Sequence, residues 1–216
     1  MAKIIVFGDV HGQFEILKKQ IEHAEKNFDV YAYIQVGDFG IFKPMNNLPD
    51  IDIPFCFVIG NHEDEDAETQ IPDFPSDYHY LTPDKIHYID GLKVIGISRS
   101  AYMDEWNTPP HGVIKESDIA KAKLSEHADL IVTHDCPKYV HVTSTFFGPQ
   151  TDVGSEELNE VFDSKTPEFW FFGHHHKNLV AKIKETLFCC FDKIEYGYGV
   201  FDTERKTVEF ISNTYL

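Results

Sequence analysis

Short runs of β-branched and aromatic residues recur along this chain, and each stops at a residue able to bind a cation, usually after a glycine. Lys3–Phe7 runs into Gly8-Asp9-Val10-His11-Gly12, 30–36 into Gly37-Asp38-Phe39-Gly40, and 53–59 into Gly60-Asn61-His62-Glu63. Farther on, 129–132 leads to Thr133-His134-Asp135, and Phe169–Phe172 to Gly173-His174-His175-His176. An apolar run of this length, ended by glycine and a polar residue, reads as a buried strand that delivers a loop. Five such strands restrict the chain to a sheet-centred fold whose chemistry sits at strand ends.

The segments between them complete the pattern. Phe14, Leu17, Ile21 and Ala24 share one face of a helix after the first strand, with Lys18, Lys19, Glu22 and Glu25 largely outside, which makes a βαβ-like opening half. The acidic stretch 61–84, punctuated by Pro72, Pro75 and Pro83, lacks a helical period and reads as a long surface excursion. Asp90-Gly91, between apolar runs at 86–89 and Leu92–Ile97, is a hairpin signal, because Asp-Gly tolerates the positive φ angles of a tight turn. Helices are expected at 115–127 and, after Gly154-Ser155, at 156–162; from 178 onward, alternating apolar residues suggest an antiparallel meander with turns near Lys184-Glu185 and Thr203-Glu204. Together these point to two mixed sheets with helices outside.

A chain of 216 residues with 42% hydrophobic residues suits one domain, spanning 1–216, with a substantial core. The start has no signal-peptide character and no apolar run is long enough to span a bilayer, so a soluble, cytoplasmic protein without membrane partners is expected. A formal net charge of -17 argues against a broad nucleic-acid-binding surface, which needs clustered Lys and Arg. Cys56, Cys136, Cys189 and Cys190 have no disulfide-framework spacing and read as reduced thiols, of which only Cys136, beside His134, is near the candidate ligands. Nothing in the sequence fixes the oligomeric state.

Carboxylate, imidazole and amide oxygen together suit a pair of divalent cations that share one carboxylate. Asp9 and His11, one residue apart, would point the same way on an extended chain, and Gly8 and Gly12 would let the backbone turn around an ion. Asp135, next to His134, is a candidate acceptor for a ligating imidazole, and one of Glu63, Asp64, Glu65 and Asp66 could orient His62.

All five islands, in this order from Gly8 to His176, resemble the calcineurin-like metallophosphoesterase superfamily. The resemblance implies a four-layer α/β/β/α sandwich of two mixed β-sheets flanked by helices. It assigns Asp9, His11, Asp38 and His176 to one metal and Asp38, Asn61, His134 and His174 to a second, with Asp38 as the bridge. It implies phosphate-ester hydrolysis by a hydroxide held between the metals, with His62 as general acid. Manganese, iron, zinc, nickel and cobalt all suit such ligands. In the protein serine/threonine phosphatases of the superfamily, the motif at Asp38 continues with a second Asp and an Arg; here Phe39-Gly40 follows. That departure favours phosphodiesters, with a phosphomonoesterase or protein phosphatase as the alternative and a non-catalytic metal-binding scaffold as the second. Arg99, in Ser98-Arg99-Ser100, is the nearest replacement for a phosphate clamp.

Overall fold

The computed structural model describes residues 2–42, 48–103, 105–144 and 151–214. One six-stranded sheet contains β1 (Lys3–Phe7), β2 (Val30–Gln35), β3 (Phe55–Phe57), β4 (Tyr78–Tyr80), β13 (Gly197–Asp202) and β14 (Thr207–Ser212), in the order β14-β13-β1-β2-β3-β4. The second contains β5 (His87–Ile89), β6 (Leu92–Ile97), β7 (Leu130–Thr133), β10 (Phe169–Phe172), β11 (Leu179–Ile183) and β12 (Thr186–Cys190), in the order β11-β12-β10-β7-β6-β5. A small ribbon pairs β8 (Val142–Ser144) with β9 (Thr151–Val153). β1, β2, β3 and β4 run parallel in the first sheet, as do β6, β7, β10 and β12 in the second.

The alternation of each strand builds the layers. Ile4 and Val6 of β1, with Phe169 and Phe171 of β10, belong to an apolar core shared by both sheets. Ile5 and Phe7 face the other way, onto helix α1 (Phe14–Asn27), which buries the expected Phe14, Leu17, Ile21 and Ala24. Trp170 and Phe172 likewise face α3 (Glu116–Leu124) and α4 (Glu156–Lys165) across the second sheet. The result is the expected α/β/β/α sandwich. α4 begins where Ser155 accepts a hydrogen bond from the Leu158 amide, which caps an otherwise unpartnered N–H.

Three readings are corrected. The excursion 61–84 contains a one-turn helix, α2 (Ala67–Gln70), and the edge strand β4; elements of three or four residues carry too few positions to show a period. The last segment is not one meander: β11 and β12 form a hairpin in the second sheet, whereas β13 and β14 cross to the first and pair with β1. The strand expected at 53–59 is three residues long. The Asp90-Gly91 hairpin forms as expected, with φ of 48° and 78°. All four cysteines are buried and free.

Candidate metal centre

Because the parallel strands of each sheet share a direction, the loops after β1, β2 and β3 and those after β7 and β10 lie at strand C-termini, the usual ligand position in such sheets. Backbone hydrogen bonds stitch the loops together. The Asp38 carbonyl accepts from Val10 and His11 amides at 2.9 and 2.7 Å, and Gly173 N donates to the His134 carbonyl at 3.0 Å.

The two aspartates are held alike. Asp9 Oδ1 accepts from the His174 amide at 3.0 Å, and Asp38 Oδ1 from the His62 amide at 2.9 Å. Their Oδ2 atoms are buried and have no hydrogen-bond partner. Around those two oxygens stand imidazole nitrogens in contacts that lack hydrogen-bond geometry. His176 Nε2 is 3.0 Å and His11 Nε2 3.9 Å from Asp9 Oδ2, while His134 Nε2 is 3.4 Å and His11 Nε2 3.8 Å from Asp38 Oδ2. Carboxylate oxygens and imidazole nitrogens gathered this closely suit a cation at their centre. Asp9, His11 and His176 form one compact group, and Asp9, Asp38 and His134 another. Asp9 is common to both groups, and Asp38 Oδ2 is within 4 Å of both His11 Nε2 and His134 Nε2.

Close approach requires glycine at two places. A Cβ on Gly60 would stand 2.1 Å from Asp38 Oδ1, and one on Gly173 would stand 2.3 Å from Asp9 Oδ1. These glycines admit a carboxylate delivered by a different strand.

His134 donates from Nδ1 to the Val36 carbonyl at 2.9 Å, which turns Nε2 to the cluster; Asn61 Oδ1 lies 2.9 Å from that Nε2. The His174 ring is 4.9 Å from the His134 ring, centre to centre. His62 is exposed at the mouth, its ring 5.7 Å from that of His11.

Charge supplies an independent test of whether cations fit. Burial alone would lower the His134 pKa, but Asp38 and Asp9 outweigh it and lift the imidazole to about 10. Burial would raise Asp38, yet His134 and His11 hold it well below the usual carboxylate range. Glu63 goes the other way, pushed to about 8 by burial and by the Asp38 charge. Without an ion, the cluster thus retains a proton on His134 at neutral pH and keeps Glu63 protonated. Buried carboxylates that demand this much positive charge fit a metal centre.

Several expectations change in detail. Asp9 and His11 do not converge through an extended chain: His11 is left-handed at φ 48°, as are Asp38 (53°), His174 (63°) and His176 (48°). Strained backbone concentrated at candidate ligands is itself a site signature, and no local sequence signal announces it. Asp135 does not support His134. Its Oδ1 accepts from His175 Nε2 at 3.0 Å and the Cys136 amide at 2.7 Å, and its Oδ2 from Ala101 N at 3.0 Å. Asp135, Cys136 and His175 therefore form a compact cluster of their own, in which burial raises the Cys136 thiol far above its usual pKa. Glu63 bonds the Gly40 amide at 3.1 Å, tying the Asn61 loop to the Asp38 loop. Arg99, the candidate phosphate clamp, is 3% exposed, with Nη2 3.1 Å from Glu68 Oε1 and Nη1 bonded to the His111 carbonyl.

A two-sheet sandwich whose strand ends assemble carboxylates and imidazoles in this way defines a metallophosphoesterase. The chain matches the model for the Calcineurin-like phosphoesterase over residues 2–178 and belongs to that family. A lariat debranching enzyme from Drosophila melanogaster is 21% identical over 234 residues, covering 84% of this chain and 44% of that protein. Its counterpart from Drosophila pseudoobscura pseudoobscura is 20% identical over the same shares. The chain thus spans less than half the length of these curated relatives. Among solved structures, the protein TT1561 of Thermus thermophilus superposes with a TM-score of 0.61 at 12% identity, over 98% of both chains. An archaeal phosphodiesterase superposes with a TM-score of 0.56 at 17% identity, over 97% of this chain and 99% of its own. At such identities these two likenesses concern the fold.

Proposed function

We propose that this chain is a dinuclear metal-dependent phosphoesterase that prefers phosphodiesters. The observation that carries the reading is the pair of buried, unpartnered Oδ2 atoms on Asp9 and Asp38, surrounded by imidazole nitrogens. Asp9, His11, Asp38 and His176 would hold one cation, and Asp38, Asn61, His134 and His174 the other. When bound, such a pair supplies Lewis acidity toward the phosphoryl oxygens and makes hydroxide available from water at neutral pH.

The protein's own groups complete the reaction. His62, exposed at the mouth with its amide fixed on Asp38, donates a proton from its ring to the departing oxygen. The preference for diesters rests on charge. The chain has two arginines, Arg99 and Arg205. Arg99 is engaged with Glu68, and Arg205 with Asp202 at 3.6 Å, so neither is offered to a monoester dianion. A diester monoanion needs less neutralisation. One solved neighbour is itself described as a phosphodiesterase.

The test is hydrolysis of bis(4-nitrophenyl) phosphate against 4-nitrophenyl phosphate by the metal-stripped chain, with and without added manganese. Manganese-dependent activity with higher kcat/KM on the diester is expected. Equal or higher kcat/KM on the monoester overturns the diester preference; no metal dependence overturns the reading as a whole.

A further inference from the structure

Arg99 raises a question that a phosphate clamp does not answer, because its guanidinium is occupied inside the protein. It sits in left-handed conformation at φ 78°, its amide donates to the Ile59 carbonyl at 2.6 Å, and Nη2 pairs with Glu68, which also binds Lys115 Nζ at 2.7 and 2.8 Å. Nη1 bonds the carbonyl of His111, and only Nε is without a hydrogen-bond partner among the described residues. Arg99 thus clamps the turn at 109–112 from one side. From the other, Ser100 N donates to the Gly112 carbonyl at 3.0 Å, and His111 Nε2 lies 3.2 Å from the Glu63 carbonyl.

That turn rests on Asn61. A Cβ on Gly112 would lie 2.7 Å from the Asn61 carbonyl oxygen and 3.0 Å from its Cβ, so nothing larger fits between them. In the same loop, the Asn107 carbonyl accepts a hydrogen bond from Asn61 Nδ2. A primary amide has two unlike ends: its oxygen can ligate a cation, whereas its NH₂ group cannot. A backbone carbonyl can only accept, so Asn107 faces the NH₂ end of the amide and selects the rotamer that turns Oδ1 to His134 Nε2. If this loop shifted, the amide would lose what distinguishes its two orientations.

We propose that Arg99 is a positioning residue for the second cation, acting through the 107–112 loop to hold the Asn61 carboxamide with its oxygen toward His134. This rests on the reading of Asn61 as a ligand of that cation. Removal of a group that orients a ligand typically lowers metal affinity about 10- to 100-fold.

The experiment is calorimetric titration of the metal-free chain with manganese, alongside steady-state kinetics on bis(4-nitrophenyl) phosphate. Arg99→Met and Glu68→Gln should weaken the second binding event by that factor and leave the first unchanged. Gly112→Ala, which pushes the turn against Asn61 without touching Arg99, should do the same. Asn61→Ala should abolish the second event; if it leaves both intact, the ligand assignment fails and the positioning role falls with it. If Asn61→Ala behaves as expected while Glu68→Gln and Gly112→Ala bind both ions with wild-type affinity, the positioning role is overturned. It is equally overturned if Arg99→Met retains both affinities and only raises KM, which would make Arg99 a substrate contact. Should Arg99→Met fail to fold, the other two variants decide the matter.

Discussion

Replacing Gly60 by alanine should damage the site through a residue that ligates nothing. The added methyl would stand 2.1 Å from Asp38 Oδ1, 2.2 Å from Asp38 N and 2.8 Å from Asp38 Cγ. Comfortable heavy-atom contacts are about 3.5 Å, so one loop must yield by more than about 1 Å. Asp38 is poorly placed to yield, since its Oδ1 accepts from His62 N and its carbonyl from the Val10 and His11 amides. Overpacking of this kind costs about 1–3 kcal/mol, which for a chain of this size is a Tm lowered by roughly 2–12 °C. The carboxylate would also leave its place, so manganese affinity should fall about 10- to 100-fold. Gly91→Ala is the control: its φ is 78° but nothing lies within 4 Å of the added carbon, so it bears only backbone strain of about 1–2 kcal/mol. Differential scanning fluorimetry of the metal-free protein and manganese titration read both effects. A Gly60→Ala protein with wild-type Tm and metal affinity would refute the packing argument, as would Gly91→Ala losing metal affinity to the same degree.

Asp38→Asn should weaken both manganese-binding events, because Asp38 Oδ2 lies between His11 and His134 and an amide bridges poorly; titration showing one event untouched would remove Asp38 from the shared position. His62→Ala should retain both metals and lose about 10²- to 10⁴-fold in kcat on alkyl esters, with much less lost on nitrophenyl esters, whose leaving group departs unprotonated; equal losses on both would assign His62 to positioning. For the metal-free protein, His134 has its pKa raised from 6.5 to about 10. Its stabilising contribution is therefore complete below about pH 6.5 and lost as pH rises toward 10. Glu63, raised from 4.5 to about 8, adds a penalty that grows over pH 4.5–8. The Tm of the metal-free chain should thus decline from pH 6 to 10 by differential scanning calorimetry, and a flat profile would contradict the proton on His134.

The candidate ligands were legible because each stands directly after an apolar run, where hydrophobic pattern and chemistry share a few consecutive residues. The layer order came through the resemblance, and the alternation of Phe169, Trp170, Phe171 and Phe172 between two cores shows its physical basis. What stayed hidden depends on partners distant in sequence. Nothing near Asp135 distinguishes support for His134 from a bond to His175, since that choice is made by the approach of β10 to β7. The division of the last four strands between two sheets is likewise settled by pairing, with β12 parallel to β10 and β13 antiparallel to β1. Burial of Arg99 required α2, a one-turn helix that supplies Glu68 and has no periodic signature. The left-handed backbone at His11, Asp38, His174 and His176 is imposed by the assembled site.

The division of candidate ligands between sheets has an energetic consequence. Loops of the first sheet contribute both aspartates, Asn61 and Glu63, with His11; those of the second contribute His134, His174 and His176. The carboxylates are thus buried when the apolar faces of the two sheets close on each other, and they meet their compensating imidazoles in the same event. Direct ties across that boundary include His174 N to Asp9 Oδ1, His134 Nδ1 to the Val36 carbonyl and His134 Nε2 to Asn61 Oδ1. Apolar burial drives closure, while uncompensated negative charge opposes it. In the ion-free chain the proton on His134 supplies part of the compensation. Cations held in the proposed positions would supply more, and without dependence on that proton, so their binding free energy would add to the docking of the two sheets as well as serve the chemistry at their edge.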